Sequence, residues 1–177
     1  MSGAAGRARA GFGGFAVAFG LCALVGVLMA ANAALHQPEA PPPHDYSAQL
    51  AALEMTDPFP VYAPAGLGPE WRPTASRVEG EGEAVTWRLG FATPQLEHAS
   101  VWQAGTAAEE LVAERLAEPR PDGELNLGGE PWTRYLSGDG QRRALAREAE
   151  GVTLVVEGTA SLDELAELAG SLRPHSG

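Results

Sequence analysis

VWQAGTAAEELVAERLA, from Val101 to Ala117, is answered later in the chain by VVEGTASLDELAELAG, from Val155 to Gly170. Aligned on Gly105 and Gly158, both stretches run an apolar segment into a glycine, a threonine and a helix-start signal. Thr106 stands three residues before Glu109 and Ser161 three before Glu164, the spacing at which hydroxyl and carboxylate cap one another's backbone N–H groups. Beyond these boxes Ala108, Leu111, Val112 and Leu116 mark one apolar helical stripe, and Leu162, Leu165, Ala166, Ala169 and Leu172 another. Two strand-then-helix segments are expected, with helices at Thr106–Ala117 and Ser161–Leu172 and Pro174 ending the second.

Upstream the correspondence continues. Glu79-Gly80-Glu81-Gly82 parallels Ser137-Gly138-Asp139-Gly140, and each lies between two extended candidates, Trp71–Val78 and Ala84–Phe91 in one case, Trp132–Leu136 and Gln141–Glu148 in the other. The offset is 58 at these turns and 53 at the glycines, a contraction about the length of Pro94–His98. Across Ala84–Phe91 the bulky Val85, Trp87, Leu89 and Phe91 alternate with Ala84, Thr86, Arg88 and Gly90, which buries the first set and turns Thr86 and Arg88 outward. Pro73 places its strand at an edge. With third strands at His98–Gln103 and Val152–Glu157, the chain reads as a duplicated β-β-β-α unit. The expected class is α+β: one two-layer domain, an antiparallel sheet of about six strands with both helices on a common face. A short helix around Ser47–Met55 and an extended piece near Val61 precede it.

The first forty-odd of the 177 residues are of another kind. Gly11–Leu35 carries no charge over 25 residues, enough to cross a bilayer core as a helix. Arg7 and Arg9 precede it and Glu39 and Asp45 follow, so residues 1–10 are expected in the cytoplasm and the rest outside. The organisation is then a cytoplasmic N-terminus (1–10), a transmembrane helix (11–35, embedded through Phe12 to Leu35), a Pro-rich linker (36–46) and an extracytoplasmic domain (47–174). Cleavage after Ala33, at Ala31-Asn32-Ala33, is the alternative, and it also exports the domain. The linker HQPEAPPPHD favours an extended conformation.

All twelve basic residues are arginine. After the apolar segment ten arginines stand against 23 carboxylates, a formal charge of −13, which repels phosphate backbones and excludes nucleic acid as a natural partner. The single cysteine, Cys22, lies in the apolar segment, so the domain has neither a disulfide nor a thiolate ligand.

Tyr62-Ala63-Pro64, Gly68-Pro69-Glu70-Trp71, Arg77, Trp87, Gly90-Phe91-Ala92-Thr93-Pro94, Gln103 and Gly129-Glu130-Pro131-Trp132 resemble the actinobacterial family known as domain of unknown function 4245 (DUF4245). The resemblance covers nearly the whole chain. It implies a short envelope protein with one N-terminal membrane helix and one exported domain, and it implies no activity and no functional residues.

Catalytic patterns are scarce. His98 and Ser100 share a strand face, yet no nucleophile-elbow sequence surrounds the serine, so the chain is not expected to be an enzyme. His36 and His44 lack a third ligand, Asp122-Gly123-Glu124 and Asp139-Gly140 are too short for a calcium loop, and Gly128-Gly129 is not followed by Lys-Ser/Thr; no metal or cofactor is expected. What remains is aromatic and cationic. Trp102 and Arg88 are the candidate contacts for a partner, an envelope protein or a cell-wall polymer. The alternative is a carrier or sensor of a small apolar ligand held between sheet and helices.

Overall fold

The computed structural model describes residues 43–175. The expected cytoplasmic N-terminus, transmembrane helix and most of the linker therefore lie outside the described residues, as do Cys22 and His36. Among the described residues no helix is long and apolar enough to cross a membrane.

The described part is α+β. In chain order it contains α1 (Ser47–Thr56), β1 (Tyr62–Pro64), β2 (Arg72–Glu79), β3 (Thr86–Ala92), β4 (His98–Ala104), α2 (Ala108–Arg115), β5 (Arg120–Leu127), β6 (Glu130–Leu136), β7 (Arg143–Ala149), β8 (Val152–Gly158), α3 (Leu162–Ser171) and β9 (Leu172–Pro174). Seven strands form one antiparallel sheet in the order β2-β3-β4-β8-β7-β6-β5, and β1 pairs with β9 in a separate ribbon. The hairpin β2-β3 and strand β4 mirror the hairpin β6-β7 and strand β8 across the central β4-β8 pair, so the strand order fits the expected repeat. β5 was not expected as a strand. Its sequence RPDGELNL carries a proline and a glycine, is mostly exposed and is bulged between Pro121 and Glu124, all suited to an edge.

The helices depart from the expected two layers. α3 buries Leu165, Leu168 and Ala169 against Leu145, Leu154 and Val156, whereas α2 buries Leu111 and Val112 against Ala144, Ala146 and Val155. Residues 154 and 156 point to one face of β8 and residue 155 to the other, so the two helices sit on opposite faces and the domain has three layers. α1 joins α3, with Leu53 in the same cluster as Trp87 and Leu89.

A one-residue difference explains the reversal. Trp102 and Val155 are direct partners at the centre of the β4-β8 ladder, an offset of 53 that keeps matched residues on the same face. The strands and helix starts, however, repeat at 54, because β8 stays paired through Gly158 while β4 stops at Ala104. Ala104 points toward the Val155 face and Gly158 toward the Val156 face, and each helix leaves on the side its strand last faced. Strand side chains have period two, so one extra residue exchanges the faces. The strand order can be matched between the halves, but helices on opposite faces run against the expected duplicated β-β-β-α unit with both helices on a common face. All seven residues of β8 are buried as a result, because both faces are covered.

The Ser161/Glu164 box forms as expected, with the Ser161 hydroxyl accepting from Glu164 N–H and the Glu164 carboxylate accepting from Ser161 N–H. The Thr106/Glu109 box does not. Helix α2 begins after Ala107, and Glu148 of β7 accepts from Ala108 N–H at 3.0 Å instead. Inside the sheet Gln103 is fully buried and both accepts from Tyr62 N–H (2.8 Å) and donates to the Tyr62 carbonyl (2.6 Å), holding β1 on the core as a strand partner would.

Candidate functional site

Two features of the surface are unusual for an acidic domain: an arginine-bearing sheet face and a groove beside α1.

The first follows from the register. On the α2 side of the sheet the outward residues of β3 are Thr86, Arg88 and Gly90, opposite Ala104, Trp102 and Ser100 of β4. β8 continues the row with Glu157 opposite Ser100 and Val155 opposite Trp102. α2 covers the β4-β8-β7 end of this face. Toward β2 the face stays open, with Arg77 and Ala75 exposed and Thr86 and Arg88 half-buried.

Trp102 is half-buried rather than projecting. Its ring lies beneath two guanidinium groups, Arg115 at 3.7 Å and Arg88 at 5.2 Å from the ring centroid, and its indole N–H donates to Glu157 Oε1 at 3.0 Å. Glu157 is buried on β8, and Arg142 donates to its other oxygen. Arg88 Nη2 donates to His98 Nε2 at 3.3 Å, and Arg88 Nε lies 3.4 Å from the Ser100 oxygen. The alternation that singled out Arg88 and Trp102 thus brings them together. Glu157, Arg142 and Arg115 come from distant segments and carry no local sequence signal.

His98 and Ser100 do share a face, with Nε2 and Oγ 3.2 Å apart. Two donors, the Ser100 hydroxyl and the Arg88 guanidinium, face Nε2, which fits the neutral ring protonated on Nδ1. Burial is the main cause that holds the His98 pKa below its ordinary 6.5; Glu157 pulls upward, and Arg88 and Arg142 push down with the burial. A depressed histidine is protonated in the unfolded chain before the folded one. Its contribution is complete above pH 6.5 and is lost as pH falls through the folded-state pKa. The expected outcome is a stability that declines as pH falls below 6.5, and a shallower decline in His98→Asn, read from urea midpoints over that descent. Equal slopes in the two proteins would show that His98 is not the group responsible.

Arg88 has no carboxylate within ion-pair distance among the described residues, whereas Arg77 reaches Glu79 only at 3.5 Å on the exposed surface. Arg77 and Arg88 are direct cross-strand partners. Like charges opposite one another on a ladder destabilise it.

The second feature is a groove of about 920 Å³ between α1 and the β2-β3 hairpin, lined chiefly by apolar surface that includes Ala52, Leu53, Val78 and Val85.

Fold and face together define a three-layer α+β domain with one sheet face partly open and cationic. The chain belongs to the family described as a protein of unknown function, DUF4245, whose model matches residues 7–172. No curated protein matches it. Among solved structures it is similar to the Pseudomonas aeruginosa MucA/MucB complex structure (17% identity, TM-score 0.39, covering 67% of this chain and 37% of that one). A structure of MucB in complex with MucA(peri) is similar to the same degree, at 17% identity and TM-score 0.39 over 66% of this chain and 37% of the other. The chain therefore spans little more than a third of the length of the structures it matches.

Proposed function

We propose that this protein is a membrane-tethered, non-catalytic binding domain on the outer side of the cytoplasmic membrane, and that the open face of β2, β3 and β4 holds an acidic segment of an envelope protein. The observation that carries this reading is the Arg77-Arg88 pair beside Trp102. Two arginines facing each other across a ladder, one without a carboxylate, cost the isolated domain stability, and an acidic partner removes that cost. The contrast with a formal charge of −13 after the apolar segment sharpens the point, because among the described residues none of these carboxylates lies within ion-pair distance of Arg88. Trp102 adds a rigid aromatic surface next to the cations, the composition of an interface centre.

Catalysis is a poorer account of the same residues. Ser100 has no exposed surface, and its oxygen is closed in by His98 and Arg88, leaving no path to a substrate. Tethering favours binding, since it raises the effective concentration of a membrane-bound partner and lets modest contacts suffice.

The test is crosslinking of the full-length chain in its native envelope. Arg88→Glu and Trp102→Ala are each expected to reduce recovery of the captured protein by about tenfold or more, a loss typical of a central contact. Arg120→Glu, on the exposed end of β5, is expected to leave it unchanged. Undiminished capture by both folded site variants overturns the reading.

A further inference from the structure

We propose that the groove between α1 and the β2-β3 hairpin seats an acyl chain of a membrane lipid. This inference rests on the membrane-tethered reading for its source of ligand; the groove adjoins the arginine face at Arg77, which lines both, and otherwise uses different residues.

Helix α1 is incompletely packed. Of its ten residues only Leu53 is buried, it has no side-chain cap at its N-terminus, and a free helix of this length is marginal in water. It is held by few contacts: His44 N–H donates to the Pro73 carbonyl at 2.6 Å, the Tyr46 ring lies 6.3 Å from that of Trp87, Leu53 enters the core, and Glu54 lies 3.1 Å from His175 Nε2. Ala52 of the helix and Val78 and Val85 of the hairpin side line the groove together, and Val78 is more than a third exposed. An apolar occupant there buries Val78 and gives α1 the packing it lacks.

The size and lining select the ligand class. About 920 Å³ is at the upper end for small-molecule sites, and most of the lining is apolar. Gln49, also in the lining, has a side-chain oxygen that is buried and without a donor among the described residues. An acyl chain with a hydroxyl-bearing head meets both conditions, with carbon against carbon and one O–H for Gln49. A peptide brings a donor and an acceptor at nearly every residue, more than this lining answers. Position supplies the source. Residues 36–46 separate the uncharged Gly11–Leu35 segment from α1, and even fully extended as polyproline they span roughly 34 Å. A groove walled by α1 stays within that reach of the bilayer.

The experiment uses the full chain in lipid nanodiscs doped with a phospholipid carrying a photoactivatable diazirine on its acyl chain, with labelled residues located by peptide mass spectrometry. Labelling is expected at Val78 and Val85, in addition to residues 12–35, and is expected to fall at least tenfold at the groove in Val78→Asp and in Ala52→Trp, which fills the space. Labelling restricted to residues 12–35, or reaching the domain only at the exposed Met55, overturns the groove proposal and leaves the tether standing. Absence of label from residues 12–35 overturns the tether itself. Groove labelling unchanged in both variants also overturns the proposal.

Discussion

Replacing Gly158 by alanine is expected to destabilise the domain by about 3 kcal/mol or more, among the larger effects of a single methyl group. A Cβ at this position sits 2.0 Å from the carbonyl oxygen of His98 and 3.0 Å from Ala99 Cα, and both obstacles are backbone. The His98 carbonyl also accepts from Thr159 N–H at 3.0 Å and Ala160 N–H at 3.2 Å, so moving it away breaks the junction where the two halves of the sheet meet. Thermal unfolding of the full chain is expected to shift down by roughly 10 °C. Gly140→Ala, by contrast, meets open space and suffers only from its φ of +72°, a penalty of about 1 kcal/mol. If Gly158→Ala melts no lower than Gly140→Ala, the close approach of β4 and β8 is not what holds the halves together.

The same glycine shows how far the fold is legible in the sequence. Its match with Gly105 reveals two strand-to-helix units, and alternation at Val85, Trp87, Leu89 and Phe91 correctly assigns the buried face of β3. Which face each helix covers depends on how many residues the strand stays paired beyond the matched Trp102 and Val155, two in β4 and three in β8. That is a matter of one paired residue at Gly158, and neither apolar stripe encodes it. Both stripes are satisfied by either face of a sheet whose central strand is apolar on both. β5 was hidden for a different reason: as an exposed, bulged edge it needs no apolar alternation, and Pro121 and Gly123 read naturally as a loop.

The site was legible to the same depth. Arg88 and Trp102 stand out because each is a large outward residue on a regular strand, so local pattern suffices to name them. Their arrangement is non-local. Arg77 reaches Arg88 across a hairpin, Glu157 reaches Trp102 from 55 residues away, and Arg115 arrives on a helix whose face the sequence does not specify. His98 and Ser100 were legible as a pair, but the burial that closes off the hydroxyl depends on the covering Arg88.

Arg142→Ala is expected to cost about 3 kcal/mol, because it strips the guanidinium from a carboxylate that stays in the sheet. Glu157 is buried, with its side chain 2% exposed, and its two oxygens are divided between Arg142 and the Trp102 indole. Arg142 is itself 41% exposed, so its charge is partly screened and the lower end of the usual 3–5 kcal/mol for a broken buried pair is the appropriate expectation. Adding Glu157→Gln to Arg142→Ala removes the orphaned charge while keeping an oxygen for the indole N–H, and the double variant is expected to recover most of the loss. Urea unfolding of the wild type, both single variants and the double variant, followed by tryptophan fluorescence, gives the coupling directly. Simple additivity of the two single losses refutes the linkage. Coupling has a consequence for the binding face, because the acid that orients Trp102 is the one Arg142 neutralises. Arg142→Ala is then expected to weaken partner capture through the altered seat of Trp102, and the double variant to restore it along with stability.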